Sequence, residues 1–128
     1  MGKNPSGNKG SFLNRYGVFK HGLRKLSALG EVLGGNIEPV YFRTPARLTA
    51  TLGWGRRTYA RRARRVAHAH GIPFLCLEDG FLRSVGLGGT DPPLSIVVDD
   101  LGIYYDAAHP SRLESLIDRP LTAGETAR

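Results

Sequence analysis

Two hydrophobic periods alternate along the chain. Leu23, Leu26, Leu29 and Leu33 recur at spacings of 3, 3 and 4, which predicts one face of a helix. Gly34-Gly35-Asn36 ends that pattern. Before it, Tyr16–Phe19 reads as a short first strand. After it, Ile37–Phe42 reads as a second, interrupted by Pro39 and therefore an edge strand or an irregular one. Thr44–Arg47 is a turn, and Leu48–Leu52 a third strand closed by Gly53-Trp54-Gly55. The clearest helix is Arg57–His70. At about 100° per residue, Tyr59, Ala63, Val66 and Ala67 share one face, and Arg57, Arg61, Arg64 and Arg65 share the opposite one. Gly71 and Pro73 stop it. Phe74-Leu75-Cys76-Leu77 is a continuous apolar run, as in a strand buried on both faces of a parallel sheet. Helix, short turn and buried strand make half of a βαβ unit.

Glu78-Asp79-Gly80 follows that strand directly, and Phe81–Gly89 is a Gly-rich loop. Ser95–Val98 is a further strand ended by Asp99-Asp100; Leu101-Gly102 is a turn and Ile103-Tyr104-Tyr105 another strand, so an antiparallel pair can join the sheet here. Pro110-Ser111 opens a helix: Ser111 caps it, Glu114 completes a capping box, and Leu113, Leu116 and Ile117 form its apolar face. Thr122-Ala123-Gly124-Glu125 starts another. The fold class that follows is α/β, with a mostly parallel, Rossmann-like sheet. Residues 1–14 read as a polar, flexible leader without the apolar stretch of a signal peptide.

Composition narrows the class. A chain of 128 residues with 41% hydrophobic and 23% charged positions is globular, one domain or part of one. No apolar run approaches the roughly 20 residues of a membrane span. Cys76, the single cysteine, excludes an internal disulfide and a cysteine-cluster zinc site. The net charge of +7 is unevenly placed: residues 1–70 carry fourteen Lys/Arg against two Asp/Glu, whereas 71–128 carry four against nine. The basic half suggests phosphates, on lipid headgroups, a nucleotide or nucleic acid, or else a solvated helix face. The acidic half suggests a site that needs carboxylates.

In open α/β sheets, ligands bind beyond the carboxyl ends of the strands. Glu78 and Asp79 stand at such an end, as acid, base or nucleophile. Their side chains alternate, so both do not meet one atom. Gly80 permits a sharp turn or a close approach, and Arg83, four residues from Asp79, can pair with it or contact a phosphate. The competing reading is a strand-end loop held by a Glu–Arg or Asp–Arg pair. Asp99-Asp100 reads as a turn before a cation site. His68 and His70, two apart on a helix, cannot chelate one metal, and His21 and His109 have no evident partner. Cys76 reads as packing, and Trp54 as a core anchor before a stacking platform. Gly86-Leu87-Gly88-Gly89 lacks the lysine and hydroxyl residue of a P-loop.

The stretch Leu77-Glu-Asp-Gly-Phe-Leu-Arg-Ser-Val-Gly-Leu-Gly88 resembles the signature of the capsule polysaccharide biosynthesis family of the KpsC/LipA type. Gly53-Trp54-Gly55 before an Arg- and Ala-rich helix, Pro93–Asp100, Gly102–Asp106 and Pro110–Glu114 follow in family order, so the resemblance covers roughly residues 15–128. It implies a lobe of a GT-B-like, retaining glycosyltransferase that moves Kdo from a CMP-Kdo donor onto a phosphatidylglycerol-linked glycan acceptor. The Glu-Asp-Gly motif is also similar to that of bacterial sialyltransferases. By that match Asp79 and Glu78 are the catalytic carboxylates, and Gly80, Arg83 and Ser84 substrate-binding residues. No metal and no cofactor beyond the CMP-sugar donor is implied.

The family's His-Pro motif for the nucleotide is not assigned to His109-Pro110, which sits at a helix start. The resemblance therefore implies that residues 15–128 are the N-terminal α/β lobe of a truncated module, which needs a missing C-terminal lobe for catalysis. The implied setting is cytoplasmic, peripheral at the inner face of the inner membrane. The alternatives are a non-catalytic basic module that docks on anionic membrane or, with no recognisable motif for it, nucleic acid, and a gene remnant.

Overall fold

The computed structural model describes residues 14–19, 28–41, 47–55, 58–82 and 93–126. The strands are β1 (Asn14–Val18), β2 (Gly35–Pro39), β3 (Ala50–Trp54), β4 (Phe74–Asp79) and β5 (Ile96–Asp99). The helices are α1 (Leu29–Leu33), α2 (Thr58–His70), α3 (Arg112–Ile117) and α4 (Ala123–Thr126). One sheet runs in the order β2-β1-β3-β4-β5. The first four strands are parallel and β5 is antiparallel to β4. The expected α/β class, mostly parallel with an antiparallel addition, is what forms. Asn14 already belongs to β1, and the rest of the expected leader lies outside the described residues.

Pro39 ends the edge strand β2, where a missing N–H costs no interior ladder bond. Alternation along the strands gives the sheet two faces. Tyr16, Val18, Ala50, Leu52 and Leu77 form the core on one face, covered by Leu29 of α1. On the other face α2 packs through Ala60, Ala63 and Ala67, all buried. These small residues let the helix lie close: the Thr51 hydroxyl donates to the Ala63 carbonyl at 2.9 Å, and a Cβ on Gly53 would sit 3.0 Å from the Ala60 Cα. Ala63 and Ala67 of the expected stripe are buried, and Ala60 joins them at its side. Val66 is only half-buried, and Arg64 folds over the Phe74 ring at 4.8 Å instead of facing away.

Cys76 is fully buried, and burial pushes its thiol above the ordinary value. A raised thiol value means that the folded chain holds its proton more tightly. The resulting stability is present below the unfolded thiol's value and is lost as pH rises through the folded one. At neutral pH the native chain is expected to resist Ellman's reagent and to react stoichiometrically once unfolded in urea. Rapid labelling of the native chain would refute this packing.

Two expectations after β5 need correction. Ile103-Tyr104-Tyr105 is a turn, not a strand. Asp99 accepts from the Leu101 and Gly102 amides, folding the backbone back so that Ile103 alone is buried while both tyrosines are about half exposed. The capping box on α3 forms as expected: the Ser111 hydroxyl accepts from the Glu114 amide, and the Glu114 carboxylate from the Ser111 amide. The expected apolar face does not become core, because Leu113, Leu116 and Ile117 are all exposed. Among the described residues no helix is long and apolar enough to cross a membrane.

Candidate active site at the strand ends

The parallel strands β1, β3 and β4 end on one side of the sheet, at Val18, Trp54 and Asp79. Glu78 and Asp79 do not follow β4 but form its last two positions, paired with Val97 and Ile96 of β5. Regular pairing sends their side chains to opposite faces, and Asp79 shares the face of Leu77.

Glu78 is the centre of a hydrogen-bonded clamp. Its Oε1 accepts from Trp54 Nε1 at 3.1 Å and from the Asp79 amide at 3.3 Å, and its Oε2 accepts from the Tyr105 hydroxyl at 3.2 Å. Gly55 makes room for this. Its φ of +55° is left-handed, and a Cβ there would sit 2.9 Å from Glu78 Oε2 and 3.0 Å from the Tyr105 hydroxyl. Trp54 serves as the expected anchor, packed against the core, and also as a donor. Tyr105 has no functional signal in its local pattern, because Ile103-Tyr104-Tyr105 has the composition of a strand. Its place in the Gly102–Asp106 motif is what marks it. Tyr105→Phe is expected to cost about 1 kcal/mol of stability by removing one arm of the clamp. Urea unfolding followed by the emission of Trp54, the single tryptophan, measures it. An unchanged midpoint would mean that the clamp is not formed.

Gly80 donates its amide to the Ser95 carbonyl at 2.9 Å, and a Cβ on it would fall 2.2 Å from Ser95 Oγ. The glycine is required by this approach to the chain entering β5. Ser95 in turn holds Leu82, accepting from its amide at 3.1 Å and donating to its carbonyl at 3.0 Å. Phe81 is fully exposed. Arg83, Ser84 and the Gly86–Gly89 run lie outside the described residues. The site that is described therefore unites Glu78, Asp79 and Gly80 with Trp54, Gly55 and Tyr105.

The other acidic residues belong elsewhere. A cleft of about 210 Å³ at the opposite end of β4 is lined by Arg64, Phe74, Asp99, Asp100, Asp106 and His109, among others. Asp99 is occupied by backbone amides, in the turn role expected of it. Asp100 is held by both nitrogens of the Arg112 fork, which keeps its carboxyl below the usual value. That small, exposed contribution is present above the unfolded value and lost as pH falls through the folded one. His109, expected to stand alone, meets Asp106 at 2.9 Å. Among the described residues no group of three or more His, Cys, Asp or Glu is placed to hold a metal.

A mostly parallel sheet with carboxylates at its strand ends defines a Rossmann-like lobe, and a solved homologue identifies it as that of a GT-B-like glycosyltransferase fold. Residues 49–127 match the family described as "Capsule polysaccharide biosynthesis protein", and the chain belongs to that family. Over 97 residues it is 48% identical to the capsule polysaccharide modification protein LipA of Neisseria meningitidis serogroup A, covering 75% of this chain and 13% of that protein. Over 65 residues it is 52% identical to the lipopolysaccharide-processing protein LpsZ of Rhizobium meliloti, covering 50% of this chain and 14% of that one. Among solved structures it is similar to Thermosulfurimonas dismutans KpsC, a beta Kdo 2,4 transferase, with 42% identity and a TM-score of 0.76. That match covers 86% of this chain and 35% of the solved one. The chain thus spans about a third of the solved relative, and the family places it in capsule polysaccharide biosynthesis.

Proposed function

We propose that this chain forms the N-terminal lobe of a retaining glycosyltransferase module that moves Kdo from CMP-Kdo onto a lipid-linked glycan. The observation that carries the reading is the Glu78–Asp79 pair at the end of β4, on a fold similar to that of a beta Kdo transferase. Asp79 is the reacting carboxylate. Its oxygen attacks the anomeric carbon as the bond to the CMP phosphate oxygen breaks. The acceptor hydroxyl then displaces that carboxylate and releases its proton to solvent. Two inversions give net retention. Glu78, with both oxygens engaged by Trp54 and Tyr105, positions the strand end. Gly80 shapes the turn beside it, and Arg83 and Ser84 are assigned to the substrate by resemblance.

The nucleotide is held by a second lobe, so activity requires a completed module. The test is a chimera in which this chain replaces the matching part of the KpsC relative, assayed for CMP release and Kdo transfer. Activity lost in the Asp79→Asn chimera supports the reading; activity retained overturns it.

A further inference from the structure

The turn after β5 reaches back to the strand-end site through one side chain. Asp99 starts the turn by accepting from the Leu101 and Gly102 amides, and Ile103 is buried behind it. A Cβ on Gly102 would fall 2.4 Å from the Pro110 carbonyl oxygen, so the turn lies directly against the entry to α3. The Asp106 amide donates to the Ile103 carbonyl at 3.0 Å and closes the loop around Tyr104 and Tyr105. The two rings meet edge to face, with centroids 5.3 Å apart. Tyr105 is thus held from both sides, and its hydroxyl donates to Glu78 Oε2 at 3.2 Å. Its ring is 49% exposed, so burial does not explain its place.

What this bond controls is the rotation of a carboxylate. The last torsion of a glutamate side chain is broad, so a carboxylate held at one oxygen swings about that contact. Trp54 Nε1 holds Oε1 and Tyr105 holds Oε2, which together fix the carboxylate plane. In that plane Oε1 also accepts from the Asp79 amide at 3.3 Å. Asp79 is the last residue of β4, paired with Ile96 at the end of the ladder, and the chain turns at Gly80 straight after it. Element ends open more readily than interiors, so a second hold on the Asp79 main chain matters there.

The geometry points to Tyr105 as a positioning residue for the reaction: through Glu78 it fixes the main chain of Asp79, and so the place from which the Asp79 carboxylate attacks. This rests on the transferase reading, in which Asp79 is the reacting group. A displacement of about 1 Å near reacting groups costs on the order of a hundredfold in rate, and with Trp54 still on Glu78 the loss of the Tyr105 hydroxyl is expected to cost about tenfold.

The experiment is steady-state kinetics of the chimera carrying Tyr105→Phe or Tyr104→Phe, each shown to be folded by near-ultraviolet circular dichroism. Tyr105→Phe is expected to lower kcat about tenfold with KM for CMP-Kdo unchanged. A role in stability alone would leave kcat of the folded variant at its original value. Tyr104→Phe removes the neighbouring hydroxyl, keeps the edge-to-face contact, and is expected to change neither constant. A second measurement needs no activity: proton–nitrogen correlation spectra of the 128-residue chain. Tyr105→Phe is expected to shift the indole resonance of Trp54, the single tryptophan, and to speed exchange of the Asp79 amide, while the Leu52 amide inside the sheet stays unmoved. Full kcat in Tyr105→Phe, an equal loss in Tyr104→Phe, or an unmoved Trp54 indole and Asp79 amide would each overturn the proposal. Activity retained by the Asp79→Asn chimera would overturn the transferase reading and the role of Tyr105 with it, whereas full kcat in Tyr105→Phe beside an inactive Asp79→Asn overturns this inference alone.

Discussion

Asp79→Asn is expected to lower Kdo transfer by the chimeric module on the order of a thousandfold or more, with little change in stability. The magnitude follows from removing a charged group that bonds to the reacting carbon, for which single substitutions at catalytic residues cost several powers of ten. Asparagine keeps the size of the side chain at the end of β4 but cannot form the glycosyl ester. The backbone ladder to Ile96 is kept in the variant, and urea unfolding checks that the loss is one of chemistry and not of folding. Glu78→Gln distinguishes the two carboxylates. Glutamine keeps an oxygen for Trp54 and offers Tyr105 an N–H donor in place of the second oxygen, but loses the charge, so its loss should be partial. If Glu78→Gln were the inactive variant and Asp79→Asn the active one, the roles assigned to the pair would be reversed.

The largest effect on stability is expected at Asp99. Its carboxylate is buried and accepts three backbone amides, from Leu101, Gly102 and Arg112, each at 2.8 Å. One side chain thus ends β5, fixes the turn after it and caps the first turn of α3. Asp99→Ala removes the acceptor from all three donors at once, at an expected cost of about 3–5 kcal/mol. That is a large part of the roughly 5–15 kcal/mol that holds a small domain folded. Asp99→Asn, with one acceptor oxygen left, should fall between. Urea unfolding monitored by Trp54 emission gives both values. A loss below about 1 kcal/mol for alanine would mean that the turn stands without its cap.

The features legible in the sequence are those decided within a few residues. The limits of α2, the end of α1 at Gly34 and the Ser111–Glu114 capping box are read from neighbours within a turn of helix. The apolar run 74–77 announced a buried strand before any partner was known, and Pro39 announced an edge. The motif around Glu78-Asp79-Gly80 carried the family, which the match over residues 49–127 bears out.

Other features depended on which elements met. The helical wheel puts Ala63, Val66 and Ala67 on the inner face of α2; Ala63 and Ala67 are buried there, but the close approach of β3 at Gly53 and Thr51 brings in Ala60 and leaves Val66 half-buried. Ile103-Tyr104-Tyr105 has the composition of a strand, yet a buried carboxylate behind it forced a turn. The clamp on Glu78 joins Trp54, 24 residues before it, to Tyr105, 27 residues after it. Local periodicity and capping act over single turns, so the sequence by itself determined most of the elements, the acidic pair with its alternation, and the family. Hydrogen bonds between distant segments exist only once the sheet has ordered its strands. The tertiary structure alone therefore decided that Glu78 is held by Trp54 and Tyr105 and that Gly55 must be glycine beside them.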